Sequence, residues 1–202
     1  MEHTLLEKID KERGRLSVFI EQLNLLQNCA SLSFHLGRYK SIAEIHGRVN
    51  AIAKELRARM GEKIPVFLSV LNGSFIFASD LVRAYEGACN IKFVAYSSYC
   101  GANTSGEVKT LMGVSDEVKG RCVIVVEDII DTGLTMAQML EDLKRFEPKQ
   151  VIVVSLFSKK ARRTVDVQID YSCFDIPDYF IVGYGLDYDQ LYRNLPAIYV
   201  KE

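Results

Sequence analysis

Two adjacent carboxylates and the polar turn that follows them are the residues of this chain best suited to chemistry. Glu127 and Asp128 come directly after the apolar, β-branched run 123–126, where a buried strand is expected to end. Asp131 and residues 132–135 then provide turn and helix-capping groups, and the free backbone N–H groups of a helix start can bind an anion. An anion site beside two carboxylates would suit a phosphorylated sugar whose hydroxyl groups and metal ion need acidic partners.

This segment resembles the phosphoribosyl-pyrophosphate (PRPP) binding motif of type I phosphoribosyltransferases. In that motif a strand is followed by two acids, then by two further residues, and then by Asp-Thr-Gly. Residues 41–200 are similar to the hypoxanthine(-guanine) branch of that family. The resemblance implies that Glu127 and Asp128 bind the ribose hydroxyls, directly or through Mg²⁺, and that Asp131 exchanges a proton with N7 of the purine. It also implies a 5′-phosphate site made of Thr132, Gly133, Leu134 and Thr135. Many relatives have a polar or basic residue at position 134, so a side-chain contact with the phosphate would be lost here.

A second loop, made of Leu71, Asn72 and Gly73, matches the pyrophosphate loop of the same family. There the peptide bond after the leucine is often cis, which lets a backbone N–H contact pyrophosphate. The family commonly has Lys or Arg where this chain has Asn72, so one positive charge near the pyrophosphate is missing. Arg193 matches a further pyrophosphate contact, where a planar guanidinium suits an anion with several oxygens.

The resemblance assigns the purine base to residues in the last quarter of the chain. Lys159 matches a lysine that donates to the 6-oxo group, and its ammonium would reject the 6-amino group of adenine because donor would face donor. Phe180 would stack on the purine face, and the backbone at Ile181 and Asp187 would read the N1/C2 edge. Asp187 would also bind a second Mg²⁺. Without this context, Phe180 would be expected to pack in the core. Two cations near Lys159 are expected to be ordinary exposed residues: Lys160 and Arg162.

Strands that alternate with helices must position these residues. The pattern predicts an α/β fold with a mainly parallel sheet flanked by helices, in which ligands bind at the carboxyl ends of the strands. The resemblance adds a small hood and a mobile loop. Every motif described above falls at the carboxyl end of a strand. The predicted strands are residues 66–71, 91–96, 123–126, 151–157 and 180–184.

Two stretches lie outside this regular alternation. Residues 97–115 form a long, glycine-containing connection, and a loop of that length is often a lid. Within it, Ser98 and Tyr99 match the Ser-Tyr pair of the family's mobile loop. Residues 1–40 are predicted to be an N-terminal helical extension, and residues 41–202 the phosphoribosyltransferase domain.

Composition argues against several other functions. The 202 residues carry a net charge of −1, so there is no basic field to favour nucleic acid. No apolar run approaches the ~18 residues of a membrane span. The five cysteines are scattered without a CxxC pair, which indicates reduced thiols, and the three histidines are too far apart in the sequence to suggest zinc. We therefore expect a cytoplasmic protein without nucleic-acid or membrane partners.

The resulting hypothesis is a purine salvage enzyme that uses PRPP, Mg²⁺ and hypoxanthine, and also guanine, and that forms a homodimer or homotetramer. Two alternatives stay open. A relative that prefers xanthine or guanine would differ in backbone geometry near Ile181 and Asp187. A non-catalytic PRPP-sensing regulator would share the fold, but the residues matched to the base and to the mobile loop are retained here and argue against it.

Overall fold

The computed structural model describes residues 36–98 and 108–201. The described elements are, in chain order, β1 (Leu36–Lys40), α1 (Ile42–Met60), β2 (Val66–Leu71), α2 (Phe75–Ala84), β3 (Asn90–Ser98), β4 (Val108–Met112), β5 (Cys122–Ile130), α3 (Leu134–Lys144), β6 (Gln150–Ser158), β7 (Tyr171–Asp175), β8 (Ile181–Val182) and β9 (Ile198–Lys201). A six-stranded sheet has the order β4-β3-β2-β5-β6-β7, and its neighbours are parallel except for the antiparallel pair β3 and β4. A second sheet has the order β1-β9-β8.

Helices cover both faces of the main sheet, and the alternation of side chains along β5 shows how. Ile124 and Val126 belong to an apolar cluster with α1 and α2, whereas Val123 and Val125 belong to a second cluster with α3. A strand that is buried on both faces needs apolar residues at every position, which explains the uninterrupted β-branched run. The predicted α/β class, a mainly parallel sheet flanked by helices, is confirmed.

Helix α1 begins with a capping box. Ser41 and Glu44 satisfy each other's backbone N–H groups, with Oε2 of Glu44 2.9 Å from the N of Ser41. One face of the helix is buried against the sheet: Ile45, Val49, Ile52, Ala53, Leu56 and Met60. The 3.6-residue period of the sequence therefore identifies the buried face of this helix.

The strand that carries the two acids is longer than the sequence predicts. It was expected to end at Val126, but β5 continues to Ile130 because β6 pairs with it at Glu127, Ile129 and Ile130. Its other neighbour, β2, pairs only as far as Val126. The two acids therefore lie on a part of β5 that pairs with a neighbouring strand on one side only.

Two other predicted segments differ from the structure. Within residues 97–115, predicted as one long connection, β3 extends to Ser98 and β4 forms an antiparallel edge strand. The strand predicted over residues 180–184 is only Ile181–Val182, since Gly183 and Gly185 have φ of 99° and 103° and the chain turns there.

The N-terminal prediction falls mostly on residues that the structure does not describe, and so does Tyr99. Leu36–Lys40, the last part of the predicted helical extension, is a strand. The boundary between residues 1–40 and 41–202 remains a prediction. Contacts between Cα atoms group Arg38–Val200 as one compact unit, in which all the residues discussed below lie. Within the described residues, no helix is long and apolar enough to cross a membrane.

Candidate active site

Most of the predicted site residues lie at or directly after the carboxyl ends of β2, β5 and β6, which are neighbours in the main sheet. The loops after these strands therefore meet at one edge. Side chains from the segment after β7 join them through the contacts described below. Two groups of residues result, which we call the glycine corner (Gly73, Asp128, Gly185 and Arg193) and the charge network (Asp131, Lys159, Arg162 and Asp178).

Glu127 and Asp128 are half-buried and influence each other. Burial and the negative charge of Asp128 raise the pKa of Glu127 well above its ordinary value. Burial also raises the pKa of Asp128, although hydrogen bonds from Glu127 and from the backbone N–H of Ile129 oppose that effect. Among the described atoms, Oε2 of Glu127 is buried and has no hydrogen-bond partner. A buried carboxyl oxygen without a partner is suited to receive a ligand.

The glycine corner is built by close contact between backbones. A Cβ atom at Gly73 would lie 1.6 Å from Oδ2 of Asp128, so no larger residue fits while Asp128 stays in place. A Cβ atom at Gly185 would lie 2.0 Å from the carbonyl oxygen of Gly73. The Leu71–Asn72 peptide bond is cis, as the resemblance implies. The predicted pyrophosphate loop is thus packed between the acidic strand and the turn after β8.

Arg193 completes the glycine corner. Its Nη1 donates to the carbonyl oxygen of Gly185 at 2.8 Å, and its Nη2 lies 2.8 Å from Oδ1 of Asp187. Burial is the main influence on the pKa of Asp128 and raises it, and the positive charge of Arg193 acts in the opposite direction. The guanidinium therefore lies near enough to attract an anion bound at this corner.

The predicted phosphate loop leads into α3. Gly133, the residue before the helix, has a φ of 90°, and a Cβ atom there would lie 2.7 Å from the carbonyl oxygen of Val165. Both facts require glycine. The Leu134 side chain is exposed, and the backbone N–H of Leu134 donates a long hydrogen bond of 3.4 Å to Oγ1 of Thr132. Backbone N–H groups in the first turn of a helix can bind a phosphate.

The charge network connects Lys159 to Asp131. Lys159 is 7% exposed, and its Nζ donates to Oδ1 of Asp178 at 3.2 Å. The hydrogen bond from Lys159 is the main cause that lowers the pKa of Asp178. Arg162 lies between the two acids, with Nη1 3.3 Å from Oδ2 of Asp178 and Nε 3.0 Å from Oδ1 of Asp131. The loops after β5, β6 and β7 are therefore connected by four side chains of alternating charge: Lys159, Asp178, Arg162 and Asp131.

The turn after β6 is tied to the end of β5 by Arg163. Its Nε donates to the carbonyl oxygen of Asp131 at 3.2 Å, and its Nη2 donates to that of Ile130 at 3.3 Å. The backbone N–H of Lys159 also donates to Ile130, at 3.1 Å. These bonds fix the backbones of Asp131 and Lys159 relative to each other.

Phe180 does not pack in the core. Its side chain is 47% exposed and meets the ring of Tyr188 edge-on, with 5.6 Å between the centroids. The ordinary expectation for a phenylalanine flanked by apolar residues is therefore wrong here, and the next residue, Ile181, is the buried one. An exposed ring beside Asp178, two residues away, is free to stack on a flat ligand.

Arg162 and Asp178 were missed by the sequence interpretation. Arg162 was expected to be an ordinary exposed residue, and Asp178 received no role. Spacing could not reveal them, because their contacts join segments that are far apart in sequence. Their charges were visible, but their partners depend on which loops meet.

The acids at this edge fit a hard cation such as Mg²⁺ only with help from a ligand. In the part of the chain that the structure describes, no three His, Cys, Asp or Glu side chains are grouped to hold a metal ion. Glu127 has a buried oxygen without a partner, whereas Asp187 is engaged by Arg193 and by the backbone N–H of Gln190. Mg²⁺ is typically bound by one or two carboxylates together with substrate phosphates. The residues fit that mode.

A mainly parallel sheet whose edge combines a helix start, two acids and a cis peptide loop belongs to a known class of proteins. The family described as the phosphoribosyl transferase domain matches residues 35–189, and the chain belongs to that family. The resemblance stated from the motifs is thereby confirmed.

Individual relatives agree. The hypoxanthine-guanine phosphoribosyltransferase of Aquifex aeolicus is 39% identical over 161 residues, which are 79% of this chain and 90% of that protein. The hypoxanthine phosphoribosyltransferase of Escherichia coli is 38% identical over 159 residues, 77% of this chain and 89% of that protein. The crystal structure of a hypoxanthine-guanine phosphoribosyltransferase from Bacillus anthracis superposes with a TM-score of 0.78 at 36% identity, covering 84% of this chain and 100% of that one.

Proposed function

We propose that this chain is a purine salvage enzyme that transfers the 5-phosphoribosyl group of PRPP to hypoxanthine, and also to guanine, giving the nucleoside monophosphate and pyrophosphate. The observation that carries the proposal is the charge network, which holds Lys159 and Asp131 together at the sheet edge. A 6-oxopurine offers an acceptor at O6 and a proton at N7, and an ammonium and a carboxylate are their complements. The names of the relatives support the same substrate class.

The sugar and its phosphates occupy the acidic strand and the glycine corner in this proposal. Glu127 and Asp128 bind the 2′- and 3′-hydroxyls of the ribose. Both carboxyl groups have oxygens that can accept hydrogen bonds from the ribose hydroxyls, and Oε2 of Glu127 is buried without a partner among the described atoms. Backbone N–H groups of residues 132–135 bind the 5′-phosphate, and the loop of residues 71–73 with Arg193 binds pyrophosphate.

The transfer breaks one bond and forms another at C1 of the ribose. The C1–O bond to pyrophosphate breaks heterolytically, and pyrophosphate leaves with the electron pair. The lone pair of purine N9 forms the new C1–N9 bond, while the proton on N7 passes to the carboxylate of Asp131. General base help of this kind is worth about 10²–10⁴-fold in rate. Phe180 holds the base flat for attack.

Mg²⁺ is part of the proposal, with Glu127, Asp128 and Asp187 as its candidate ligands. When bound with PRPP, the ion would neutralise the charge that develops on the leaving pyrophosphate. For Asp187 this role requires exchange of its contact with Arg193. Closure of the segment that begins at Ser98, the last residue of β3, and continues with Tyr99 would exclude water, which otherwise hydrolyses the sugar donor.

The proposal is tested by measuring nucleotide formation from PRPP and Mg²⁺ with hypoxanthine, guanine, xanthine and adenine in parallel. Turnover of hypoxanthine and guanine with adenine inert is the expected result. Fastest turnover of xanthine would favour the xanthine-preferring alternative. PRPP binding without turnover of any base would favour the regulator.

The role of Asp131 has its own test. Asp131→Asn should lower kcat with hypoxanthine by about 10²–10⁴-fold while PRPP still binds, because the amide cannot accept the N7 proton. Unchanged turnover in this variant would contradict the assigned role. The homodimer or homotetramer and the cytoplasmic location implied by the sequence remain predictions, and light scattering after size-exclusion chromatography would test the first.

A further inference from the structure

Arg162 lies between the two acids of the charge network and contacts both of them. Its Nε is 3.0 Å from Oδ1 of Asp131, and its Nη1 is 3.3 and 3.4 Å from the two carboxylate oxygens of Asp178. The planar guanidinium can reach two carboxylates at once because its donors point in fixed, divergent directions. Arg162 is therefore the physical link between the loops that follow β5 and β7.

The second half of the link fixes Lys159. Asp178 shares its Oδ1 between Nζ of Lys159, at 3.2 Å, and Nη1 of Arg162. Lys159 is 7% exposed, so its ammonium has little water to satisfy it, and Asp178 provides its ion pair. A displacement of Asp178 would therefore be passed directly to the ammonium of Lys159.

The contact with Asp131 is ionic rather than a formed hydrogen bond. Although Nε of Arg162 is 3.0 Å from Oδ1 of Asp131, that oxygen makes no hydrogen bond of acceptable geometry within the described residues. Charge attraction holds the carboxylate in place and leaves its acceptor capacity unused. A carboxylate that must accept a proton from a ligand has to be held in place and has to keep an oxygen that can still accept a hydrogen bond.

We propose that Arg162 and Asp178 are positioning residues that set the separation between the ammonium of Lys159 and the carboxylate of Asp131, and thereby select 6-oxopurines. The inference rests on the proposed function, because Lys159 and Asp131 are the groups that the function assigns to O6 and N7. Neither residue needs to touch the reacting atoms for this role.

The exposure of the ion pair between Arg162 and Asp131 distinguishes a positioning role from a role in stabilising the fold. The side chains of Arg162 and Asp131 are 48% and 37% exposed, and ion pairs at such exposure contribute little to stability. The same short turn offers a comparison, since Lys160 pairs with Asp175 at 2.5 Å and both side chains face solvent. Within the described residues, Lys160 forms its ion pair with Asp175 and forms none with Asp131 or Asp178, so it supplies the matched control.

The test compares Arg162→Gln with Lys160→Gln, two neighbouring cations changed to the same neutral residue. Arg162→Gln should lower kcat/KM for hypoxanthine by about 10–100-fold, with a fall in kcat, while Lys160→Gln stays within about twofold of the wild type. The Tm of both variants should stay close to that of the wild type. Arg162→Lys keeps the charge but not the two-armed geometry, and should recover only part of the loss.

A double-mutant cycle shows whether Arg162 acts through Asp131. In the Asp131→Asn background, measured with enzyme in excess so that slow turnover is observed, Arg162→Gln should change the rate by less than about threefold. An equal loss in both backgrounds would overturn the inference, and so would equal kcat/KM for Arg162→Gln and Lys160→Gln. A wild-type chain that converts no base overturns the proposed function instead, so the two failures are distinguishable.

Discussion

The glycine corner and the charge network lie at the same edge of the sheet but are held in different ways. In the glycine corner, a Cβ atom at Gly185 would lie 2.0 Å from the backbone carbonyl oxygen of Gly73, and one at Gly73 would lie 1.6 Å from a side-chain oxygen of Asp128. In the charge network, half-exposed side chains such as Arg162 are held by ion pairs of 3.0 to 3.3 Å. The glycines of the first group leave no space for an added carbon, whereas the side chains of the second group are held by charge attraction.

This difference suits the two ligands. The proposed pyrophosphate site must present backbone N–H groups and a guanidinium at fixed positions, which close backbone packing provides. The proposed base site must admit and release a flat ring, and half-exposed ion pairs with an exposed Phe180 leave room for that. The comparison predicts that substitutions in the two groups will differ in size and in kind.

The largest effect is expected from Gly73→Ala. The new methyl group must displace Asp128 or the loop, and a shift of about 1 Å in a catalytic group can cost about 10²-fold in rate. We therefore expect kcat/KM for PRPP to fall by about 10²-fold or more. Gly47→Ala in α1 is the matched control, because a Cβ atom there would meet nothing within 4 Å and alanine favours the helix. Equal activity of both variants would contradict a steric glycine corner.

A smaller loss of activity is expected from Phe180→Ala. Removal of an exposed ring that stacks on the base should raise KM for hypoxanthine about tenfold, with a smaller change in kcat and no loss of Tm. Tyr179→Ala removes the neighbouring aromatic residue, which is also exposed but packs against Tyr39, and should leave KM nearly unchanged. A fall in Tm for Phe180→Ala without a change in KM would restore the core-packing role.

The substitution Asn72→Lys is expected to lower KM for PRPP by a few-fold. Asn72 is exposed in the loop between β2 and α2, and a lysine there would add the positive charge that the resemblance implies at this position. KM for PRPP should fall about threefold at low salt and less at high salt, because exposed charges are screened. Asn72→Gln, which adds length without charge, should leave KM unchanged. A lower KM for both variants would mean that charge is not the cause.

The smallest effect concerns stability and pH. The raised pKa of Glu127 means that the folded protein binds this proton more tightly than the unfolded chain does. Its stabilising contribution is therefore full below the ordinary value of 4.5 and is lost as pH rises through the raised pKa. Glu127→Gln should remove that loss, so its Tm without substrate should exceed that of the wild type by a few degrees at neutral pH and converge with it at low pH.

The exposed Glu141 provides the control for this comparison. Glu141→Gln changes the same residue type on the surface of α3, where its partner is Lys144. It should leave the pH dependence of Tm unchanged. A pH dependence of Tm in Glu127→Gln equal to that of the wild type would show that Glu127 is not the group responsible.

The sequence predicts the interior of this fold better than its edges. The run at Val66–Leu71 matches β2 because burial on both faces selects apolar residues at nearly every position, and the one polar residue, Ser69, is hydrogen-bonded to Ser74. The edge strand Tyr171–Asp175 was not predicted, since a partly exposed strand needs no continuous apolar run. The extension of β5 through Glu127 depends on pairing with β6, which no local pattern encodes.

In the candidate site, too, some features can be read from consecutive residues and others depend on how the chain folds. Glycines whose backbone contacts other segments, such as Gly73, belong to a motif that can be read from consecutive residues. The roles of Arg162 and Asp178 cannot be read in this way, because they depend on the meeting of loops after β5, β6 and β7. Their contact could be found only once the strand order was known.

The most direct test of the account is the preference between hypoxanthine and adenine in the wild type and in Lys159→Gln. The ammonium of Lys159 has only donors, whereas a glutamine amide has an acceptor that can meet a 6-amino group. We expect the wild type to convert hypoxanthine and to leave adenine unchanged. In Lys159→Gln, kcat/KM for hypoxanthine should fall by about 10–100-fold, and the preference for hypoxanthine over adenine should become smaller. A wild type that converts both bases equally, or a variant whose preference is unchanged, would contradict the account.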